Sequence, residues 1–519
     1  MHYFDINEIV NFTNYFILNN SEIDYNIKLS SVLAHVRGDE IYEIFAHDDK
    51  GYETTVKLLE NLPNISNNIS IYDIGSTIIL LFDQTFYRQE LYHDQKICDY
   101  LLDNIENNFT TVNEDSSESL LEIYNPDEWI QEINNLDKLY SMEELPAHFE
   151  YFIQNKTQEI LKKKNELCDR DISFNIQLLQ FYQYIIEVER AKFVITAAAY
   201  QVKYGCHQAN ETNILYDLQQ SLILRVQKYI STVKKWMKIA PCEIRQCSLK
   251  KHKKSKYIKV DRNYRMSLVA AISDIDQNEI ITNVAFASKK GTIYPRIQTS
   301  ILSGKGYVRT KRRSFKYNWE KSTNIFSSLS DNLNYIHFGT NKSQRIALDD
   351  IHVDDGHVVT GIKFSIISNI DDEPNNVKDL GTMIRLEIRA TKFDFETGKL
   401  GESKWISGKI PSARRSELSL NCSQNWISSN DIPDSVNGKF VRFQMSNSMK
   451  NGRKSTIPFF YKQTRPIIYT YPLTGIGLEF NCSPQSEGVL SFKLIFYNPS
   501  TYMNENISSE NEEILNLRS

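Results

Sequence analysis

Apolar residues recur with two different periods along this chain, and the change of period divides it. Between Asn210 and Met237, the residues Leu215, Leu218, Leu222, Val226, Tyr229, Val233 and Met237 are spaced three or four apart, one stripe of an amphipathic helix about seven turns long. Asn210 and Thr212 offer caps at its start, and Lys234, Lys235 and Lys238 suit the negative end of its dipole. In the preceding stretch, "NIQLLQFYQYIIEVERAKFVITAAAYQVKY", Leu178, Tyr182 and Ile185 make a stripe, but from Phe193 to Ala199 the sequence is apolar all round. A helix of that kind is buried by neighbours on every side. Further helices are read from Ser70 to Asn107, Asp127 to Leu139 and Met142 to Cys168, so residues 1–240 are expected to be an α-helical bundle.

After about residue 262 the period becomes two. "LVAAI", "TNVAFAS", "IYPRIQTSIL", "VVTGIKFSII", "IRLEIRATKFDF", "KFVRFQM" and "VLSFKLIFY" read as short strands between Gly, Asn, Asp and Ser turns. Nothing between them carries a helical stripe, so antiparallel sheets are expected, because parallel ones would need crossover helices. One pattern occurs three times: "IITNVAF" from Ile280, "HVVTGIKF" from His357 and "PLTGIGLEF" from Pro472, with Thr282, Thr360 and Thr474 about 80 and about 115 residues apart. Each copy is followed by a turn and a second strand. Three related antiparallel units predict a closed threefold arrangement, β-prism-like, with the apolar faces meeting at the axis; a two-sheet β-sandwich is the alternative. The expected organisation is therefore α+β multidomain: a helical bundle over 1–240, a basic linker over 241–262, the β domain over 263–500 and an acidic disordered tail over 501–519.

Composition changes this picture little. The 519 residues suffice for two domains with cores of their own, and 41% hydrophobic and 12% aromatic content is that of a folded chain. Charge is distributed very unevenly. From Arg245 to Lys321 there are 19 Lys and Arg against 5 acids, which leaves −19 on the remainder of a chain whose net charge is −5. Arg309, Lys311, Arg312 and Arg313 are the candidate contact for an anionic membrane or a sulfated glycan. The competing reading is a solvated linker and sheet edge. Nucleic acid is the least favoured partner, since the chain is acidic overall and shows no recognition module.

No stretch is apolar enough over 18 residues to span a bilayer, although Phe193, Val194 and Ile195 begin the best candidate for insertion. The first residues lack a basic stretch followed by an apolar run, so no secretory signal is read there, and a cytoplasmic location is the alternative to secretion. Among seven Cys, Cys422 and Cys482 both sit in Asn-Cys-Ser and are the preferred disulfide pair, with buried free thiols as the other reading. Cys242 and Cys247 have no second ligand pair at zinc spacing.

No nucleophile elbow, metalloprotease helix, P-loop or dinucleotide fingerprint is present, so no catalytic residue, cofactor or metal is assigned. The densest polar cluster, "DDIHVDDGHVV" from Asp349 to Val359, lacks the ligand order of a calcium loop, and Asp354, Asp355 and Gly356 suit a turn before the motif strand. Tyr294, Trp319, Trp405 and Trp426 lie near predicted loops, where flat aromatic faces can meet sugars; burial in the core is the competing role.

The stretches "DDGHVVTGIKF", "IRLEIRATKFDFETGKLGESKWISG", "STIPFF" and "YPLTGIGLEF" resemble a family of insect proteins catalogued as a domain of unknown function, over about Ala347 to Phe496. That resemblance implies secretion and a helical region paired with a β-rich one, and it carries no catalytic residues. The layout is also similar to that of insecticidal crystal toxins, whose helices insert into membrane after a β module docks on a receptor. The expected function is a non-enzymatic binding protein, its β domain recognising a glycan or cell-surface receptor beside a helical effector. An inert structural or storage-like secreted protein is the alternative.

Overall fold

The computed structural model describes residues 5–18, 131, 145–162, 173–205, 211–244, 257–260, 264–306, 308–309, 334–337, 344–367, 383–410, 414–418, 437–445, 456–461, 471–483 and 486–516. The fold is α+β, and the chain separates into two compact units. One comprises residues 1–158, 177–239 and 500–519; the other comprises 159–176 and 240–499.

The first unit contains α1 (Ile6–Leu18), most of α2 (Leu145–Lys162) and of α3 (Phe174–Gly205), α4 (Glu211–Met237) and α5 (Ser509–Asn516). The expected stripe of α4 is its buried face: Leu215, Leu222, Val226, Tyr229, Val233 and Met237 are all inaccessible to solvent or nearly so. Aromatic packing joins α2 to α3 and α4, with the Phe149 ring centroid 5.1 Å from Phe181 and 5.2 Å from Tyr229. Two polar networks lie inside this packing. Glu189 of α3 accepts hydrogen bonds from Arg225 and from the Tyr229 hydroxyl, both on α4, at 2.8 and 2.9 Å, and burial, followed by the Glu189 charge, pushes the Tyr229 phenol well up. Gln219 of α4 donates to Thr13 and Asn14 of α1 at 2.6 and 2.9 Å. The helices expected at Ser70–Asn107 and Asp127–Leu139 lie, apart from residue 131, outside the described residues.

The C-terminal segment departs from the expected disordered tail. Asn504 bridges Asp5, the Ile6 N–H donates to the Asn504 carbonyl at 2.9 Å, and Asn7 Oδ1 accepts from the Ser508 N–H and the Asn511 amide, each at 2.9 Å. Local acidity suggested a solvated tail, but these long-range hydrogen bonds and the buried Leu515 hold it in place.

In the second unit, three sheets are each built on a hairpin of two 11-residue strands. These are β5 (Glu279–Lys289) with β6 (Thr292–Leu302), β11 (His357–Ile367) with β12 (Met383–Phe393), and β18 (Leu473–Ser483) with β19 (Ser486–Phe496). The three copies of the sequence pattern are the first strands of these hairpins. In each, the register shifts by one residue at the threonine, between Ile281 and Asn283, Val359 and Gly361, and Leu473 and Gly475. The threonine is the extra residue of a β-bulge. Its hydroxyl donates to a carbonyl of the facing strand: Thr282 to Gln298, Thr360 to Arg389 and Thr474 to Phe496, at 3.4, 3.5 and 3.0 Å.

The bulge also frees the threonine carbonyl for a strand from elsewhere. The Ser273 N–H, just after β4 (Ala271–Ile272), donates to Thr360 O at 2.8 Å, and the Val353 N–H, just after β10 (Asp350–His352), donates to Thr474 O at 2.8 Å. The chain thus passes from the first sheet to the second and from the second to the third. It leaves β3 (Arg265–Ser267) in the first sheet to form β4 on β11, and leaves β9 (Arg345–Ala347) in the second to form β10 on β18.

The sheets are mixed rather than purely antiparallel as expected. β3 runs parallel to β6, β9 to β12, and β17 (Thr456–Tyr461) to β19. No crossover helix is required, because in the first two sheets the chain returns through the short exchanged strand and the first hairpin strand. Outer antiparallel neighbours are β8 (Tyr335–His337) on β3, β15 (Lys439–Arg442) on β9 and β2 (Tyr257–Val260) on β17. β7 (Val308–Arg309), β13 (Leu400–Ser407) and β1 (Glu243–Ile244) flank β6, β12 and β19, while β14 (Ser416–Glu417) and β16 (Gln444–Met445) add to the edges.

β1 and β2 correct the linker expected over 241–262. Its charged residues suggested solvation, yet it supplies two strands to the third sheet, and Ile258 is 4% exposed in the common core. The inward positions of the three motif copies converge in that core: Val284 and Phe286, Ile362 and Phe364, Ile476 and Leu478. Phe286 lies 6.1 Å from Phe364 of the second sheet and 4.2 Å from Phe492 of the third, between ring centroids.

Candidate functional site

Period-two alternation that sends Ile362 and Phe364 inward sends Gly361, Lys363 and Ser365 to the opposite face of β11. On β12 and β13 the same alternation places Arg385, Glu387, Arg389 and Trp405 on that outer face. Cross-strand register then aligns Ile272, Gly361, Arg389 and Trp405 in one row across β4, β11, β12 and β13. Trp405 is 37% exposed and Ile272 47% exposed, in contrast to the buried aromatic residues of the core.

Gly361 explains why the indole can lie across the sheet. A Cβ there would come 2.8 Å from the Arg389 Cβ and 3.1 Å from both Ile272 Cγ2 and Trp405 Cη2, so only glycine lets these three side chains close over the strand. Lys363 places its ammonium 4.4 Å from the centre of the indole, a cation–π contact. It also pairs with Glu387 at 3.1 Å, and Glu387 pairs with Arg385 at 2.9 Å and accepts from Ser365 at 2.7 Å.

Burial alone would raise the Glu387 pKa, but the hydrogen bonds from Ser365 and Lys363 and the charges of Lys363 and Arg385 hold it below the ordinary carboxylate range. Its contribution to stability is therefore present above the unfolded-state pKa and is lost as pH falls through the lower folded value. Beside this group, Thr360, Thr391 and Ser403 form a hydroxyl chain with oxygen separations of 2.5 and 2.8 Å. Among the described residues no hydrogen bond or ion pair engages the guanidinium of Arg389.

Of the four aromatics anticipated from sequence, the two that are described lie on different sheets. Tyr294 is half-buried on β6 of the first sheet, opposite Ala287, with its phenol raised chiefly by burial. Trp405 is on the second sheet, and Trp319 and Trp426 lie outside the described residues. Of the basic contact, Arg309 pairs through its backbone with Ile301 while its side chain is outside the described set, as are Lys311, Arg312 and Arg313. Phe193 is 4% exposed on α3; the side chains of Val194 and Ile195 are not among those described. No helix among the described residues is long and apolar enough to cross a membrane. Cys422 lies outside the described residues, as does the side chain of Cys482, so that pairing stays an expectation.

The acidic cluster is divided among separate roles. Asp349 accepts two hydrogen bonds from Arg415, one of 2.7 Å, and its partner's side chain is fully buried. Asp350, with Glu243, holds the buried ammonium of Lys493 at 2.6 and 2.7 Å. Asp354 pairs with Lys404 at the surface, and Gly356, at φ 71°, turns the chain into β11. No group of three potential metal ligands occurs among the described residues. The Cys242 thiol is pushed up to about 12, by burial and then by Glu243, which keeps it protonated and unreactive at neutral pH.

Gly361 was expected from sequence to allow a close approach, whereas Arg389, Lys363 and Ile272 were not singled out. The alternation of β11 and β12 carried the signal that their side chains share a face. Comparison with family models finds no match to the chain, and comparison with curated proteins finds none either.

Proposed function

We propose that this chain is a non-enzymatic carbohydrate-binding protein. On this reading its second unit is a β-prism-like module of three related units, and an N-terminal helical bundle serves as effector. Support for the prism comes from the three hairpins that share a bulge, pass strands from sheet to sheet and send equivalent residues into one core. The observation that carries the binding role is Trp405. Its ring lies on an outer sheet face at 37% exposure, where a flat apolar surface with neighbouring hydrogen-bonding groups suits the face of a pyranose. The insect family resembled by Ala347–Phe496, and secretion with it, belong to the same proposal.

A glycan array probed with the full chain should give a reproducible set of ligands, and Trp405→Ala should weaken the best of them at least tenfold, about 1.4 kcal/mol. Silence across the array would favour the inert structural protein, and unchanged binding by the variant would move the site elsewhere. Effector action by insertion of residues 193–202 requires α3 to leave the packing that buries Phe193. Dye release from anionic liposomes on acidification is the expected sign of it; vesicles intact at every pH would rule insertion out.

A further inference from the structure

We infer that the face around Trp405 takes an acidic oligosaccharide, its carboxylate or sulfate docking on Arg389 while a sugar ring lies against the indole. This inference rests on the carbohydrate-binding reading and adds the charge of the ligand to it.

The charges of the face are the first reason. Across the outer rows of β11 and β12, Lys363, Arg385 and Arg389 are opposed by one carboxylate, Glu387. Glu387 is already shared between Lys363 at 3.1 Å and Arg385 at 2.9 Å, so it leaves one charge of that pair and the whole charge of Arg389 unmatched across these rows. That guanidinium is unengaged among the described residues, and Arg389 is the direct cross-strand partner of Trp405. A planar fork of donors beside an aromatic face is suited to an oxyanion carried on a ring.

The indole itself is the second reason. The Lys363 ammonium sits 4.4 Å from its centre, so a neutral sugar stacking there competes with a cation for the ring. An acidic sugar gains an ion pair from that same cation.

The other two sheets provide the contrast. At the position facing the bulge, where the second sheet has Arg389, the first has Gln298 and the third Ile495. The outer lysine of the third sheet, Lys493, is buried between Asp350 and Glu243, so its charge is already matched.

The test is calorimetric titration of the full chain with three tetrasaccharides: hyaluronan-derived (carboxylate), heparin-derived (sulfate and carboxylate) and chitotetraose (neutral). Either acidic probe should bind at least tenfold more tightly than chitotetraose, and which one binds better tells carboxylate from sulfate. Arg389→Gln should remove that preference, bringing the ratio of acidic to neutral affinity close to one. Arg389→Lys should restore part of it, and Trp405→Ala should weaken all three. The partly buried Arg389 side chain has no hydrogen-bond or ion-pair partner among the described residues to lose, so both Arg389 variants are expected to keep the melting temperature, which is checked first. Equal, Trp405-dependent affinity for neutral and acidic probes would overturn the inference and leave carbohydrate binding standing. Acidic binding that survives Arg389→Gln would also overturn it, placing the anion contact elsewhere, for instance at Arg309–Arg313. Failure to bind any of the three would overturn it as well, and binding indifferent to Trp405→Ala would move the site away from this face; carbohydrate binding itself is judged by the array.

Discussion

Phe286→Ala is expected to destabilise the β unit by about 3–5 kcal/mol, the range for deleting a buried aromatic side chain. Phe286 is 1% exposed, and its ring meets Phe492 at 4.2 Å, Phe460 at 4.8 Å and Phe364 at 6.1 Å. Those partners come from the other two sheets, so the cavity would open where three hairpins meet. Hydrogen-bonded ladders on every side leave the walls little freedom to collapse inward, which puts the cost toward the upper part of the range. Urea unfolding followed by tryptophan fluorescence would measure it. Ile366→Ala, at a position 44% exposed, should change the stability by less than about 0.5 kcal/mol. Similar small shifts for both variants would mean that the three hairpins do not share a core.

A loss of about the same size is expected from Asp349→Ala, by a different mechanism. Arg415 has a fully buried side chain that donates to Asp349 and, at 2.8 Å, to the Ile410 carbonyl. Asp349 also accepts from the Gly438 N–H at 3.2 Å. Removing the carboxylate strands a guanidinium away from water, which costs about 3–5 kcal/mol, whereas replacing both partners by apolar residues is close to neutral. Asp349→Ala should therefore lower the melting temperature by roughly 10 °C, and the double variant Asp349→Leu with Arg415→Met should recover most of that fall. A double variant as unstable as Asp349→Ala would show that the pair contributes through packing rather than charge. Gly408 belongs to the same arrangement, since a Cβ there would come 2.2 Å from Asp349 Oδ2.

These two sites differ in how far they could be read from the chain. Phe286 and Phe364 stand at the same place in two copies of one pattern, and alternation alone assigned them to the inner face. The role of the threonine was not readable, because a bulge is defined by the register of two strands and not by either one. Asp349 and Arg415, 66 residues apart, carry no local signal of partnership. The dense acidic cluster invited a cation, but consecutive side chains on an extended segment point to opposite faces, and Asp349 and Asp350 consequently pair with different partners. On the candidate face, Trp405 was one of four aromatics proposed, whereas Arg389 and Lys363 were only positions within predicted strands. Only the alignment of β4, β11, β12 and β13 made neighbours of them.

What the sequence by itself determined about this protein is periodic: a helical stripe from Leu215 to Met237, alternating strands after residue 262, and a pattern written three times. Each follows from side-chain direction, which depends on backbone geometry within a few residues. The tertiary structure alone decided the strands supplied by residues 243–244 and 257–260, the parallel pairings, the folded C-terminal helix and the surface gathered around Trp405. Those rest on contacts between residues far apart in the chain, such as Lys493 with Asp350 across 143 positions. Their energies depend on which segments meet, and no local pattern carries that choice.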